Sequence, residues 1–253
     1  MSDLRSVERR GDSPDRTGAF DRVARLAVSP WPLLVAIVAV AWLLLAGHEH
    51  DHSATFSRTL AMWATMSVAM MLPTAFPMLA TARSVMANHR LSHWWLFLAA
   101  YVVVWWGFSV AASLLQVWLV NTGFVGHGAA LLDLDGSARW TTAITFALAG
   151  AYQFSNLKAR CLHACSNPMN FLLRHWRDGS FGATRMGLRH GLTCVGCCWA
   201  LMLLALVGGA ATLVLMLVGT VLMAIEKVPT LDGRVAKPLG VVLVAVSLAV
   251  LVA

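Results

Sequence analysis

The chain has 253 residues, of which 58% are hydrophobic and only 12% charged, and its mean hydropathy is +0.69. Such a composition excludes an ordinary soluble globular domain and predicts an all-α, polytopic membrane helical bundle, because each crossing of the bilayer needs about 20 apolar residues. The net charge of +7 could suggest nucleic acid, but the basic residues are distributed as membrane topology requires. No nucleic-acid partner is therefore expected.

The N-terminal residues 1–29 are polar and basic, and we predict a disordered cytoplasmic tail. Residues 30–253 form the predicted transmembrane bundle, and its first helix is the apolar run Trp31–Ala46. The loop that follows carries histidines at alternate positions in His48–His52. These histidines could collect metal ions outside the cell, although a solvated polar loop explains them equally well.

The second predicted helix runs from about Thr59 to Ala82 and contains a stripe of methionines. Met66 and Met70 are four residues apart, Met71 is adjacent, and Pro73 is expected to kink or end the helix nearby. Thioether sulfur binds Cu(I) without losing a proton, so these three methionines could form a conduit or a secondary metal site. Ordinary core packing is the alternative.

Two further apolar runs predict the third and fourth helices, Trp94–Val120 and Trp140–Asn156. Between the fourth and fifth helices lies the longest internal polar stretch, residues 157–190, which we interpret as a cytoplasmic loop that contains cysteines. The next 35 residues, 191–225, carry no charge and are about 50 Å long as a helix, which is too long for one crossing. Gly208-Gly209 is expected to divide this run into helices five and six.

The seventh helix begins near Lys237 and continues to the end of the chain. Of the lysines and arginines, 17 fall in the tail and in the loops after helices two, four and six, whereas only Arg58 and Arg139 fall on the opposite side. This asymmetry predicts a cytoplasmic N-terminus and an external C-terminus. We therefore expect a multi-pass protein of the cell inner membrane.

The five cysteines all fall on the cytoplasmic side of this topology, where thiols stay reduced. Three of them belong to the stretch Cys194-Val195-Gly196-Cys197-Cys198 at the start of helix five. His190 shares their helical face if the helix begins before it, and Cys161 and Cys165 are likewise one turn apart. Clustered thiolates favour a soft metal, most of all Cu(I), with zinc or iron as alternatives. Packing of small apolar thiols is the competing interpretation.

Glu226 and Lys227 close the sixth helix and could pair with each other as an ordinary helix terminus. An ionisable residue near the hydrocarbon region is otherwise a candidate for function. The chain contains no phosphate-binding loop, dinucleotide fingerprint or hydrolase motif. ATP hydrolysis and soluble-type hydrolase chemistry are therefore not expected.

Several short motifs occur together in one order along the chain. They are Met62-Trp63, Met66, Ala69-Met70-Met71-Leu72-Pro73 and Pro77, then Tyr152-Gln153, Leu157-Lys158, Cys161-Leu162, Cys165 and Pro168, and finally Gly191, Cys194, Gly196-Cys197-Cys198-Trp199-Ala200-Leu201-Met202 and Glu226-Lys227. From Leu60 to Gly233 the chain resembles a family of uncharacterised bacterial integral membrane proteins described as predicted metal-binding proteins. The resemblance implies a membrane-embedded metal-binding protein.

The leading hypothesis is a membrane protein that binds Cu(I) for transport or handover. Its expected partners are the lipid bilayer, the metal ion and a metallochaperone or metalloenzyme client. Assembly into a homo-oligomer is also compatible with the sequence. One alternative is a membrane thiol–disulfide oxidoreductase, and another is an assembly factor that a metal stabilises; an enzyme is the less favoured class. The candidate ligands are Cys161, Cys165, Cys194, Cys197, Cys198, Met66, Met70, Met71 and His190.

Overall fold

The computed structural model describes residues 30–47, 55–86, 91–123, 137–207, 212–229 and 234–252. The predicted tail (1–29), the His48–His52 loop and Gly208-Gly209 lie outside these residues. Within the described ranges the chain forms ten α-helices and no strand, which confirms the all-α class. The chain divides into two compact units, 1–36 and 37–253. In the first unit the structure describes residues 30–36.

The helices are numbered in the order in which they follow one another along the chain. In chain order they are α1 (Trp31–Gly47), α2 (Phe56–Thr74), α3 (Phe76–Val85), α4 (Leu91–Asn121), α5 (Ser137–Gln153), α6 (Asn156–Ser166), α7 (Pro168–His175), α8 (Gly179–Met202), α9 (Thr212–Glu226) and α10 (Ala236–Val252). A 3₁₀ helix, Leu203–Val207, continues α8.

The stretch 157–190, which the sequence predicts to be a loop, is helical over most of its length. It holds nearly all of α6, then α7, and the first half of α8. The Ser155 hydroxyl caps α6 by accepting a hydrogen bond from the Lys158 N–H (3.1 Å), and Pro168 occupies the first turn of α7. These local signals form helices even though the segment is too polar to look like a span.

The break between α2 and α3 lies at Ala75, where the two helices meet at 63°. Pro73 has no N–H, so the helical hydrogen bond that residue 73 would donate is missing. The carbonyl of Met71 accepts hydrogen bonds from the Ala75 N–H (3.0 Å), the Thr74 hydroxyl (3.1 Å) and the Tyr101 hydroxyl (3.2 Å). The break is therefore fixed by hydrogen bonds to α4 as well as by the proline.

The most extensive helix packing joins α4 and α8. Gly187 permits it, because a Cβ atom at this position would lie 2.2 Å from the carbonyl oxygen of Phe97 and 2.9 Å from the Cβ of Ala100. On the other side of α4, the buried hydroxyls of Ser67 in α2 and Ser109 are 3.0 Å apart. Helix α4 thus packs against both the broken α2–α3 pair and α8.

Two helices are long and apolar enough to cross a membrane, namely α4 and the run Gly179–Leu206 that α8 begins. The bent α2–α3 pair would be a third, and three further apolar helices are shorter: α1, α9 and α10. The sequence predicts seven crossings. The described residues confirm a helical bundle, and the number of crossings stays a prediction.

Candidate metal centre

Two helices supply all five cysteines. Helix α6 carries Cys161 and Cys165, and α8 carries Cys194, Cys197 and Cys198. The three cysteines of α8 are 0–2% exposed, and Cys165 is also buried. Because α6 and α8 pack against each other, residues that are about 30 positions apart in sequence meet in the core.

The sulfur atoms of Cys165, Cys194 and Cys197 lie within 4.8 Å of one another, and we call this group the three-thiol cluster. Within it, the Cys165 and Cys197 sulfurs are 3.8 Å apart. A metal bound to three sulfurs by bonds of about 2.3 Å would hold them roughly 4 Å apart. The three thiols are thus already spaced for one metal ion, and all three are buried.

Cys198 and Cys161 flank the cluster. The Cys198 sulfur lies 3.2 Å from that of Cys197 but does not belong to the group of three. Cys161 is partly exposed and packs against Gly196, where a Cβ atom would come within 2.7 Å of its sulfur. Burial, and then the proximity of Cys194, raise the pKa of the Cys161 thiol. The structure thus gives the two cysteines of α6 different surroundings.

The Cys194 sulfur has two polar neighbours from other parts of the fold. The Lys227 ammonium lies 3.4 Å from it and the Tyr101 hydroxyl 3.5 Å from it. Burial opposes the charge of Lys227 and lowers its pKa, but the sulfurs, Cys194 first, raise the pKa well above its usual value. The neighbouring sulfurs thus favour the charged form of Lys227, whose Nζ atom lies beside the cluster.

Glu226 binds Lys158 of α6 and not its neighbour Lys227, so the pairing suggested by adjacency in the sequence is wrong. The Lys158 Nζ atom lies 3.0 Å and 2.8 Å from the two carboxylate oxygens of Glu226. Both side chains are 1% exposed. Glu226 and Lys227 are neighbours at the end of α9 but have different partners. Glu226 contacts Lys158, whereas Lys227 contacts the three-thiol cluster.

The three candidate methionines of α2 are all buried, and Met71 is connected to the cluster through its neighbours. Its carbonyl accepts a hydrogen bond from Tyr101, whose hydroxyl also contacts Cys194. Its thioether sulfur lies 3.9 Å from the Thr74 hydroxyl, which in turn accepts a hydrogen bond from Lys227 (2.8 Å). Met66 and Met70 are buried on the same helix, at 0% and 3% exposure.

His190 lies one helical turn before Cys194 on α8 and is 2% exposed. Its ring stacks on Tyr101 and Phe97, with centroid distances of 5.3 and 5.9 Å. Neither ring nitrogen has a hydrogen-bond partner among the residues that the structure describes. A buried imidazole without a partner is costly, which calls for an explanation.

Three residues of this site were not among the candidate ligands from the sequence: Tyr101, Thr74 and Lys227. Tyr101 gave no signal, because one tyrosine in an apolar helix has no pattern. Lys227 offered a weak signal, since a lysine next to Glu226 looks like a solvated terminus. Only the three-dimensional packing brings these groups to the cysteines.

No match was found among curated proteins or among solved structures. Residues 60–250 match the protein family PpoB2, which is described as a copper chaperone. The matched region includes both helices that form the three-thiol cluster, the methionines of α2 and Lys227. Together with the buried thiols, the match supports metal binding or handover. The chain belongs to the PpoB2 copper chaperone family.

Proposed function

We propose that this protein is an integral membrane copper chaperone that holds Cu(I) on Cys165, Cys194 and Cys197 and hands it to a client metalloprotein or metallochaperone. The observation that carries the proposal is the buried three-thiol cluster, with its sulfurs within 4.8 Å of one another. Thiolates are soft ligands and suit Cu(I). Structural zinc sites almost always have four ligands, so three thiols fit the lower coordination number of Cu(I) better.

The residues around the cluster suggest a path for the ion. Cys198, 3.2 Å from Cys197, and the partly exposed Cys161 are positions to which Cu(I) could move by exchange of sulfur ligands. Met66, Met70 and Met71 extend along α2, and His190 offers an unpartnered imidazole one turn from Cys194. We assign these residues to transfer, because the cluster itself needs none of them.

Membrane insertion is supported by the apolar side chains that the bundle leaves uncovered. Trp106 and Trp118 on α4 are each 57% exposed, Ile144 on α5 is 54% exposed and Val241 on α10 is 60% exposed. Exposed apolar surface on several helices is costly in water and ordinary in lipid. Together with the charge asymmetry of the sequence, this exposed surface supports our proposal that seven helices cross the cell inner membrane with the N-terminus in the cytoplasm.

Metal analysis of purified protein tests the function. The full chain, purified in detergent under reducing conditions and loaded with Cu(I), should retain about one copper per chain by elemental analysis. The Cys197→Ser, Cys198→Ser variant should retain much less, because it loses one cluster sulfur and the adjacent exchange position. Wild-type protein that stays metal-free after loading would refute the proposal.

Thiol–disulfide exchange is a second candidate, which the 3.8 Å contact between Cys165 and Cys197 favours. Formation of that disulfide would pass two electrons and two protons to an acceptor such as a quinone. Alkylation of thiols in intact cells separates the two functions. Cysteines that are mostly oxidised would favour the oxidoreductase, whereas reduced cysteines that the metal protects from alkylation would favour the chaperone.

An assembly factor with a structural metal is the remaining alternative. In that case the metal would hold α6 and α8 together, and cysteine variants would lose their fold along with their copper. Thermal unfolding of the Cys197→Ser, Cys198→Ser variant distinguishes the two roles. A chaperone should keep a cooperative transition close to that of the metal-free wild type.

A further inference from the structure

Lys227 is a buried cation whose hydrogen-bond partners differ from those of the other buried lysine. It follows α9, is 7% exposed, and its Nζ atom lies 2.8 Å from the Thr74 hydroxyl and 3.4 Å from the Cys194 sulfur. Lys158, by contrast, contacts both carboxylate oxygens of Glu226. A buried charge is costly unless an opposite charge balances it. Of its two hydrogen-bond partners among the described residues, Thr74 and Cys194, the cysteine of the thiol cluster is the one that can carry negative charge.

The position of Lys227 matters because a Cu(I) complex with thiolates carries a net negative charge. A Cu(I) ion held by two thiolates forms a complex of net charge −1, since each sulfur gives up its proton to bind. Held by three thiolates, the same ion would carry −2. Both complexes are anionic, and an isolated negative charge is unfavourable in a buried site, so one ammonium ion next to the cluster stabilises either complex.

The contacts of Lys227 hold its ammonium group in place. The Thr74 hydroxyl accepts from Lys227 and donates to the carbonyl of Met71 (3.1 Å), at the break between α2 and α3. Tyr101 contacts the same carbonyl and the same cysteine sulfur. The ammonium group is therefore hydrogen-bonded to Thr74 at the helix break and lies beside the Cys194 sulfur.

We propose that Lys227 is the counter-ion of the three-thiol cluster, and that its charge stabilises the anionic complex that the cluster forms with Cu(I). Lys227 does not bind the metal and acts on it through charge. This inference rests on the proposed function, because it requires that the cluster binds Cu(I).

Charge-changing and charge-preserving variants test this role. Cu(I) affinity is measured by competition with bicinchoninate, using the full chain in detergent under reducing conditions. Lys227→Met removes the charge at similar volume and should weaken Cu(I) binding by at least about tenfold, within the range seen when groups around metal ligands are lost. Lys227→Arg keeps the charge and should stay within about threefold of the wild type.

The matched control removes the other buried lysine without leaving a charge behind. Lys158→Met combined with Glu226→Gln neutralises the ion pair between α6 and α9, and its Cu(I) affinity should stay within about threefold of the wild type. Tryptophan fluorescence during thermal unfolding checks that each variant is folded. If Lys227→Met does not accumulate as folded protein, Lys227→Gln takes its place, because it too lacks the charge.

Wild-type affinity in Lys227→Met would overturn the counter-ion role. So would a Lys227→Arg variant as weak as Lys227→Met, because shape and not charge would then decide, or a control that loses as much affinity as Lys227→Met. If the wild type binds no Cu(I), the proposed function itself fails. If the wild type binds Cu(I) and Lys227→Met binds it equally well, only the role of Lys227 fails.

Discussion

Cys161 and Cys165 lie one helical turn apart on α6, yet only Cys165 belongs to the three-thiol cluster. Cys165 is 7% exposed and its sulfur is 3.8 Å from that of Cys197, whereas Cys161 is partly exposed and packs on Gly196. Positions four residues apart differ by about 40° around a helix axis, so Cys161 meets Gly196 of α8 whereas Cys165 meets Cys197. The two cysteines look equivalent in the sequence, but their substitution is therefore expected to affect Cu(I) binding differently.

Cys165→Ser should weaken Cu(I) binding at least about tenfold, or about 1.4 kcal/mol, because a hydroxyl replaces one of the three soft ligands. Cys161→Ser is the matched control, with the same substitution on the same helix, and should stay within about threefold of the wild type. Competition with a chromophoric Cu(I) chelator measures both affinities. Equal losses in the two variants would contradict the assignment of Cys165, and not Cys161, to the cluster.

At the scale of helices, glycine sets the distance between α4 and α8, and hence the position of the cluster. Gly187→Ala would place a Cβ atom 2.2 Å from the Phe97 carbonyl oxygen, which is backbone and cannot rotate away. We expect a loss of about 1–3 kcal/mol from overpacking. Thermal unfolding followed by tryptophan fluorescence measures this effect.

Gly107→Ala provides the control for that prediction. Gly107 lies in α4 and is exposed, and nothing lies within 4 Å of a Cβ atom there. The substitution should leave the melting temperature unchanged or raise it slightly, because alanine favours a helix by up to about 1 kcal/mol over glycine. A Gly187→Ala protein as stable as Gly107→Ala would show that α4 and α8 can separate without cost.

The Lys158–Glu226 pair joins α6 to α9 and should show the energetics of a buried ion pair. Lys158→Met alone leaves Glu226 buried and unpaired, and we expect a loss of about 3–5 kcal/mol. Adding Glu226→Gln removes that isolated charge and should restore most of the stability. Unfolding of the two variants in parallel tests the prediction. A double variant no more stable than the single one would contradict it.

For the whole molecule, the sequence predicts the helices better than the site. Long apolar runs such as Leu91–Asn121 identify helices through hydropathy alone, but α6 and α7 are polar and short, so they look like a loop. The sequence predicts that the cysteines of α6 and α8 lie on one side of the membrane, and the packing of these two helices brings Cys165 to Cys197. The partners of Glu226 and Lys227 depend on side-chain directions at the end of α9, which no spacing rule encodes.

The predicted membrane topology can be tested by locating the two ends of the chain. If seven helices cross the inner membrane, the two ends of the chain lie on opposite sides, because an odd number of crossings separates them. Alkaline phosphatase fused after residue 253 should therefore be active outside the cytoplasm, and a fluorescent protein fused before residue 1 should fluoresce inside. The fluorescent fusion should also stay in the membrane fraction after alkaline carbonate extraction, since its apolar helices are held in lipid. An inactive phosphatase at the C-terminus, with the fluorescent N-terminus still inside, would mean an even number of crossings, so that at least one of the seven predicted helices would not span the bilayer.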